Sequence, residues 1–310
     1  MRSRNTGRTF KVDKEIQLLQ YLIEICKGQS KTSVKASLSH GQIQVNGQNI
    51  SAFDYNLKRG DRLEILDKGV MVKKRRGEKD TRVNIVYEDE YLIVVDKRSG
   101  LLTMSSGAPG DVTAYSLLFD YVKRMYGRDS RIFIVHRIDR ETSGLIIFAK
   151  DQRTKDKMQE NWNDSIISRK YAAILEGHPA EKRGTITSWL TENPKSLKVS
   201  SSPVDNGGKK AVTHYNVLES GKHFSLAEFE LETGRKHQIR VHASLLGCPV
   251  TGDRRYGASD NPAGRLALHA RSITFRHPAT GKVLSFDTGL PNVFKSVMKE
   301  DMETPDHIVR

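Results

Sequence analysis

Cysteine is scarce in this sequence: the 310 residues include two, Cys26 and Cys248, which lie far apart without a C-x-x-C partner. The sequence therefore predicts neither a disulfide framework nor a zinc site, and a reducing, cytoplasmic location is the simpler interpretation. Long apolar runs are missing as well, since none approaches the roughly 20 residues that span a bilayer. The basic N-terminus has no apolar segment behind it, which argues against a secretion signal. We expect a soluble protein with no membrane partner.

Motifs for nucleotide cofactors and serine hydrolases are also missing. The chain contains no G-x-G-x-x-G, no G-x-x-x-x-G-K-[ST] and no G-x-S-x-G, the motifs of dinucleotide sites, phosphate loops and nucleophile elbows. His237 and His242 are five residues apart, which is wrong for one helical face, and we interpret their segment as a strand. We therefore expect neither a metal nor a cofactor.

Acidic residues are few relative to basic ones: 37 Asp and Glu stand against 51 Lys and Arg, for a formal net charge of +14. Residues 1–80 hold 17 of the basic and 9 of the acidic residues, so more than half of the surplus lies in the first quarter. Lys and Arg that bind phosphates release condensed counterions, which favours association with nucleic acid. An anionic membrane and an indifferent basic surface are the alternatives that charge alone leaves open.

The first 67 residues have the pattern of a small α-β domain. Apolar residues at helical spacing predict a helix over Lys14–Lys27, and Ser33 can cap a second short helix. The Asn46-Gly47 dipeptide within G-Q-I-Q-V-N-G-Q-N-I predicts a hairpin, and a last strand, R-L-E-I-L, follows a turn at K-R-G-D.

This order of elements resembles the ribosomal protein S-four-type RNA-binding domain. The resemblance implies that the helix pair presents basic side chains to structured RNA, here Lys27, Lys31 and Lys35. A small domain that touches no RNA is the alternative. We interpret residues 68–80, which contain K-K-R-R, as a basic linker.

From about Val83 the sequence consists of many strand-like runs with few helical segments between them. Helices are predicted at Ala114–Tyr126 and Thr154–Trp162, among strands such as Y-L-I-V-V-D, L-I-I-F-A and S-L-A-E-F-E-L. This arrangement predicts an α+β fold with a mostly antiparallel mixed sheet rather than repeated β-α-β units. We assign this domain to residues 81–300 and expect a polar, frayed tail over residues 301–310.

One carboxylate stands where two apolar runs meet. Asp139 lies between I-F-I-V and L-I-I-F-A, and a lone buried carboxylate would protonate unless it is paired. Arg240, between Ile239 and Val241 in an alternating segment, is the candidate partner. Such a pair gives a fixed anion suited to attack on a sugar carbon. The residues alone leave a structural salt bridge equally open.

Several stretches resemble the RluA-type pseudouridine synthases, in the order expected for that family. H-R-I-D-R-E-T-S-G-L is similar to its H-R-L-D-x-x-T-S-G-L signature, and R-K-Y-A-A-I-L-E-G is similar to its K-x-Y-x-A-L-V-x-G strand. G-R-K-H-Q-I-R-V-H followed by G-C-P-V-T-G-D-R-R-Y-G resembles a third conserved block. The resemblance covers residues 83–290 and implies the pseudouridine synthase fold, often preceded by an S-four-type domain. One departure is Arg98 in K-R-S-G, where many relatives have proline, which suggests a freer turn.

The resemblance also implies a role for each matching residue. Asp139 corresponds to the essential aspartate, Tyr171 to the tyrosine that stacks on the displaced base and helps remove its proton, and Arg240 to the basic partner of the aspartate. Arg137 corresponds to an arginine that enters the RNA stack in place of the uridine, and His136 is expected to support the loop. The reaction is an isomerisation and needs no cofactor or metal.

We therefore expect a cytoplasmic, monomeric RNA isomerase that acts on large-subunit ribosomal RNA, because the N-terminal domain suits a large folded RNA. Transfer RNA is the alternative substrate. The other hypotheses are a non-catalytic RNA-binding or ribosome-assembly factor and a nucleoside hydrolase or glycosylase that would release free uracil.

Overall fold

The computed structural model describes residues 7–26, 28, 34, 43–46, 48–50, 55–66, 82–105 and 111–303. The chain divides into two compact units, residues 1–79 and 80–310. Within the described ranges, no helix is both long and apolar enough to cross a membrane.

The described part of the N-terminal unit is a small sheet with one helix packed on it. Its strands are β1 (Gly7–Lys11), β2 (Ile16–Gln17), β3 (Ile43–Val45), β4 (Gln48–Asn49), β5 (Asn56–Leu57) and β6 (Arg62–Leu66), and its helix is α1 (Leu18–Ile25). Four strands pair in the order β1-β6-β3-β4, and β2 pairs with β5. Leu18, Leu22, Leu57 and Leu63 are fully buried in its core.

Two predictions for this unit have different outcomes. The hairpin is confirmed: β3 and β4 are antiparallel, and Asn46 has the left-handed conformation (φ 52°) that a tight hairpin turn requires. The predicted helix start at Lys14 is wrong, because Ile16 and Gln17 are extended and pair with β5 before the helix begins at Leu18. The helix capped by Ser33 and the side chains Lys27, Lys31 and Lys35 lie outside the described residues.

The larger unit is organised around one sheet. Its strands are β7 (Val83–Glu88), β8 (Leu92–Lys97), β9 (Phe133–Ile134), β10 (Ser143–Ala149), β11 (Ile166–Glu176), β12 (Arg183–Glu192), β13 (Val199–Ser202), β14 (Lys209–Ser220), β15 (Phe224–Leu231), β16 (Leu268–Arg276) and β17 (Val283–Asp287). The sheet order is β13-β12-β14-β15-β11-β16-β10-β8-β7, with β17 on β16 and β9 on β10. Only β10 and β16 run parallel among the described pairs, so the predicted α+β class with a mostly antiparallel sheet is confirmed.

Helices cover this sheet. They are α2 (Ala114–Tyr126), α3 (Gln152–Glu160), α4 (Trp162–Ser165), α5 (Gln238–Leu245) and α6 (Asn292–Glu303). The bounds predicted for α2 are confirmed, and a capping box between Thr113 and Ser116 fixes its start. The single helix predicted over Thr154–Trp162 is wrong, because Asn161 leaves the helical conformation and separates α3 from α4.

The end of the described chain is ordered where a frayed tail was expected. α6 continues to Glu303, and Asp301 is buried. The carboxylate of Asp301 accepts hydrogen bonds from the backbone N–H groups of His223 and Phe224, at 3.0 to 3.1 Å. Asp301 therefore ties the helix to the start of β15, which the polar composition of the segment does not reveal.

The centre of the sheet lies in β10, where every residue from Ser143 to Ala149 is buried. Gly144 has φ 113°, and a Cβ at this position would lie 2.2 Å from the backbone oxygen of Ala270 in β16. Glycine is thus required where β10 and β16 approach each other in parallel. This close approach fixes the strand that follows Asp139 directly against β16.

Candidate active site

The segment that carries Asp139 connects β9 to β10 and is held through its backbone. Thr103 donates its hydroxyl to the carbonyl of Ile138 at 3.0 Å, and the backbone N–H of Gly100 donates to the carbonyl of Arg140 at 2.9 Å. The loop is therefore held by contacts that do not involve the side chain of Asp139. That side chain is 28% exposed. The carboxylate therefore faces solvent from a fixed backbone.

Lys97 is the anchor of this arrangement. It is fully buried at the end of β8, and its Nζ donates to the carbonyls of Arg98, Leu101 and Arg140 at 2.7 to 3.0 Å. Burial lowers the pKa of Lys97 to about 8, while Glu141 and Asp139 act in the opposite direction. The K-R-S-G turn was expected to be freer because it lacks proline. Instead, the ammonium group of Lys97 holds it through hydrogen bonds to three carbonyl groups.

Arg240 lies in the first turn of α5, so the prediction of a strand for this segment is wrong. His237, just before the helix, has the left-handed conformation (φ 56°). The buried side chain of Gln238 fixes the turn: its amide donates to the Val212 carbonyl and the Thr213 hydroxyl, and its oxygen accepts from Thr233 and from the backbone N–H of Arg235. These four bonds hold a helix start that apolar alternation cannot indicate.

The guanidinium of Arg240 contacts two carboxylates. Nε and Nη2 donate to the two oxygens of Asp253 at 2.6 and 2.8 Å, and Nη1 lies 3.5 Å from Oδ2 of Asp139. Burial works against the charge of Arg240, but the bonded Asp253, together with the charge of Asp139, raises the pKa of the guanidinium. The structure therefore brings Asp139 and Arg240 together, with Asp253 as the tighter partner.

Asp253, in the G-C-P-V-T-G-D-R-R-Y-G stretch, is a group that the sequence did not assign to the site. It is 2% exposed and follows Gly252, which has φ 81°. A Cβ on Gly252 would lie 2.4 Å from the backbone oxygen of Arg265, so this turn requires glycine. The G-D pair in the sequence was a signal for a special turn, but nothing in the sequence assigned it to Arg240.

His237 is a second group that the sequence did not assign to the site. Its Nε2 lies 3.8 Å from Oδ2 of Asp139, and its Nδ1 is 2.8 Å from the hydroxyl of Tyr256. Burial lowers the pKa of His237 to about 4, with Asp139 opposing and Arg240 adding to the shift. At neutral pH the imidazole is uncharged, so Arg240 supplies the positive charge nearest to Asp139.

Tyr171 lines the same cleft from β11. It is partly buried and packs against two of the hydrophobic clusters of the larger unit. Burial raises the pKa of its phenol, an effect that Asp139 reinforces and Arg169 opposes. The ring is therefore a neutral aromatic surface at physiological pH, close to the carboxylate of Asp139.

His136 and Arg137 flank Asp139 but differ in surroundings. Nε2 of His136 accepts the backbone N–H of Ile147 at 3.0 Å, which fixes the ring as a neutral acceptor. Burial, and secondarily the charge of Arg169, lower the pKa of His136 to about 3. Arg137 is exposed at the rim of the cleft. His136 thus ties the loop to the backbone of β10, whereas the side chain of Arg137 is available to a ligand.

Together these groups surround an open cleft of about 610 Å³. Its lining includes all five of the sequence-predicted residues in the larger unit: His136, Arg137, Asp139, Tyr171 and Arg240. No cluster of three His, Cys, Asp or Glu side chains suited to a metal occurs in the described part of the chain. His242, considered beside His237 as a ligand, points elsewhere and bonds Ser188 and Thr213. A carboxylate next to a guanidinium and a neutral phenol is a site for covalent or acid–base chemistry on an uncharged carbon.

The sequence matches the pattern of the RNA pseudouridylate synthase family over residues 91–245. It is 34% identical to the uncharacterized RNA pseudouridine synthase YhcT of Bacillus subtilis over 284 residues, 87% of this chain and 90% of that protein. The chain belongs to the RNA pseudouridylate synthase family. It is also 36% identical over 232 residues to the ribosomal large subunit pseudouridine synthase D of Zymomonas mobilis, 71% of this chain and 73% of the relative.

Solved structures place the fold in the same family. The human RNA pseudouridylate synthase domain containing 4 superimposes with a TM-score of 0.58 at 26% identity, over 72% of this chain and 95% of the human one. The protein is therefore an RNA pseudouridine synthase, an isomerase that acts on RNA. The matched segment contains Asp139, Tyr171 and Arg240, whereas Asp253 lies beyond it.

Proposed function

We propose that this RNA pseudouridine synthase isomerises specific uridines of large-subunit ribosomal RNA, with Asp139 as the essential carboxylate. The observation that carries the assignment of the residue is its position in an open cleft, 3.5 Å from Arg240 and on a backbone held by Lys97. The RNA class is supported by relatives in Zymomonas mobilis and Rickettsia felis whose names specify the ribosomal large subunit.

The reaction exchanges one bond of the uridine for another. Asp139 attacks C1′ of the ribose or removes a sugar proton while the bond between C1′ and N1 breaks. The detached uracil turns, and C5 bonds to C1′ as the bond from Asp139 to C1′ breaks or as the sugar proton returns from Asp139. C5 then loses its proton and N1 gains one. The reaction is an isomerisation in which the nucleoside is neither oxidised nor reduced and no water is consumed. The chemistry therefore requires no metal or cofactor.

Each remaining residue of the site has a role that follows from its surroundings. Arg240 places a positive charge 3.5 Å from the carboxylate of Asp139, on the side of the cleft where that anion acts. Uridine in a stacked helix must be extruded at a cost of a few kcal/mol. The neutral ring of Tyr171 offsets part of this cost by stacking, worth about 1–3 kcal/mol per base. We assign to Tyr171 the further role of helping to remove the C5 proton.

Arg137 and His136 complete the proposed site from the loop that carries Asp139. Arg137 is exposed at the rim and is placed to enter the RNA stack where the uridine was. His136, as a neutral acceptor for the backbone of β10, keeps the loop in position and does not touch the substrate.

For the N-terminal unit we propose an S-four-type RNA-binding domain over residues 1–67, followed by a basic linker over residues 68–80. The small sheet with its Asn46 hairpin supports this proposal. The resemblance assigns RNA binding in this domain to Lys27, Lys31 and Lys35. We further propose that the protein acts as a monomer in the cytoplasm.

Mapping of pseudouridines tests the proposed substrate. Carbodiimide-dependent stops of reverse transcription are compared in RNA from cells with and without the gene. We expect stops in large-subunit ribosomal RNA that disappear with the gene. Loss of stops in transfer RNA alone would contradict the RNA class, and release of free uracil by the purified protein would indicate a glycosylase instead.

A further inference from the structure

Arg169 is a buried cation that forms no salt bridge with a carboxylate among the described residues. It is 8% exposed in β11, two residues before Tyr171. Its Nη2 reaches the backbone carbonyl of Leu231 at 3.4 Å, and its Nε has no hydrogen-bond partner among the described residues. Burial lowers the pKa of Arg169, and the group that opposes this effect is Tyr171. Burying a guanidinium in this way is unfavourable unless an anion joins it.

The surroundings of Arg169 are aromatic and leave room beside the charge. Its Cζ lies 5.4 Å from the ring centre of Trp162, which in turn lies 5.0 Å from the ring of His136. A Cβ on Gly234 would lie 2.9 Å from Nη1 of Arg169, so glycine keeps this side of the guanidinium open. The charge therefore stands next to a π surface at the border of the active-site cleft.

A second cavity of about 470 Å³ is also lined by Trp162 and Arg169, and we name it the flanking cavity. Trp162, Arg169, Leu231 and Glu232 line both it and the active-site cleft, so the two spaces are adjacent. Ligand sites usually measure about 300–1,000 Å³. The flanking cavity is therefore large enough for one more nucleotide beside a uridine in the cleft.

The acidic side chains of the flanking cavity already have partners. Glu230 accepts the hydroxyl of Ser168 at 2.6 Å, and Glu232 is 2.6 Å from Nε2 of His214. Arg169 is the side chain at the shared wall that combines a positive charge with an unused donor. Phosphodiesters are anions that a guanidinium binds well, and Arg169 has a donor left to bind one.

We propose that the flanking cavity binds the nucleotide adjacent to the target uridine, with Arg169 on the phosphate that joins the two and Trp162 against the neighbouring base. This inference rests on the proposed action on RNA. Arg169 is an RNA-binding residue here, not a catalytic one. Its contact fixes the register of the strand, so that the neighbouring nucleotide is held while the uridine occupies the cleft next to Asp139.

The test uses a short RNA stem-loop that spans a mapped pseudouridine position, with a neutral methylphosphonate at either of the two phosphates of the target nucleotide. For the wild-type protein, one of these changes should raise the half-saturating RNA concentration about 10- to 100-fold, because a charge-assisted contact is lost. In Arg169→Gln the affinity for unmodified RNA should fall by a similar factor, and the same methylphosphonate should have no further effect.

Controls separate this contact from general charge and from folding. Arg153 is exposed in α3, and Arg153→Gln should retain the full response to the neutral phosphate. Arg169→Lys keeps the charge and should recover part of the affinity. An abasic nucleotide next to the uridine should weaken binding by the wild type about tenfold, and it should have little effect on Trp162→Ala.

Three outcomes are decisive. If neither methylphosphonate weakens binding by the wild-type protein, the inference is wrong whether or not any variant folds. If Arg169→Gln responds to the neutral phosphate as strongly as the wild type does, Arg169 does not bind it. If the wild-type protein isomerises no uridine in the unmodified RNA, the proposed function itself fails.

Discussion

Arg240 is bound more tightly by Asp253 than by Asp139. Two of its nitrogens donate to the two oxygens of Asp253 at 2.6 and 2.8 Å, whereas its approach to Asp139 is a single contact of 3.5 Å. A bidentate pair fixes both the position and the plane of a guanidinium. Asp253 therefore determines the position of the guanidinium. The carboxylate of Asp139 is not part of a tight ion pair.

Asp253→Asn should lower kcat about 10- to 100-fold with little change in KM for RNA. The amide cannot accept both guanidinium donors, so Arg240 shifts toward Asp139, and small displacements of a reacting group have effects of this size. Single-turnover release of tritium from RNA labelled at uridine C5 measures the change.

The matched control for Asp253 is Asp260→Asn, since Asp260 is exposed on the same connecting segment. It should retain wild-type kcat and KM. An Asp253 variant with wild-type kcat would show that the bidentate pair serves stability alone.

Asp139→Asn should abolish isomerisation and leave RNA affinity within about threefold of the wild type. Asparagine preserves the shape of the side chain but cannot act as an anion, and Arg137 and the rest of the cleft still bind RNA. Filter binding measures the affinity, and tritium release measures the reaction. Residual turnover above one hundredth of the wild-type rate would contradict the assignment of Asp139.

The core of the site was predictable because its pattern is local. Asp139 between two apolar runs signals a carboxylate held at the end of a buried strand, and β10 is buried throughout. The bounds of α2 were predictable for the same reason, since Thr113 and Ser116 provide a capping box next to an amphipathic stretch. Burial and caps act over a few residues, so the sequence displays them directly.

The groups that the sequence did not reveal depend on contacts distant along the chain. The I-R-V alternation around Arg240 suggested a strand. Instead, Gln238 fixes the start of a helix through hydrogen bonds to Thr213 and Val212, which lie in β14. Asp253 received no role from the sequence because its partner, Arg240, lies in α5. Tertiary hydrogen bonds decide such cases, and local periodicity does not contain them.

Buried histidines should make the stability of the larger unit fall between pH 6.5 and pH 4. His242 is fully buried, and burial lowers its pKa to about 4. An unfolded histidine binds a proton near pH 6.5, so unfolding takes up a proton in this window and stability decreases as pH falls. Above pH 6.5 the effect is absent, and below pH 4 it is complete, at about 3 kcal/mol for this residue.

His242→Gln tests this dependence. The variant loses some stability at pH 7, because its contacts with Ser188 and Thr213 change, but its free energy of unfolding should decline less steeply below pH 6.5, by about 1.4 kcal/mol per pH unit. Urea unfolding at half-unit pH steps measures the slope. His223→Gln, at an exposed position, should keep the wild-type slope, and an unchanged slope in His242→Gln would contradict the prediction.

RNA affinity should fall steeply with salt, and part of that dependence should come from the N-terminal unit. Each neutralised phosphate contributes a slope of about 0.7–0.9 in log affinity against log salt. Replacing Lys27, Lys31 and Lys35 together by Gln should therefore flatten the slope by about 2 while kcat at saturating RNA stays unchanged. A second triple variant at exposed lysines of the larger unit matches the change in net charge: Lys182, Lys209 and Lys295. If both triple variants flatten the slope equally, the effect comes from overall charge, and the proposed RNA-binding face of the N-terminal unit is wrong.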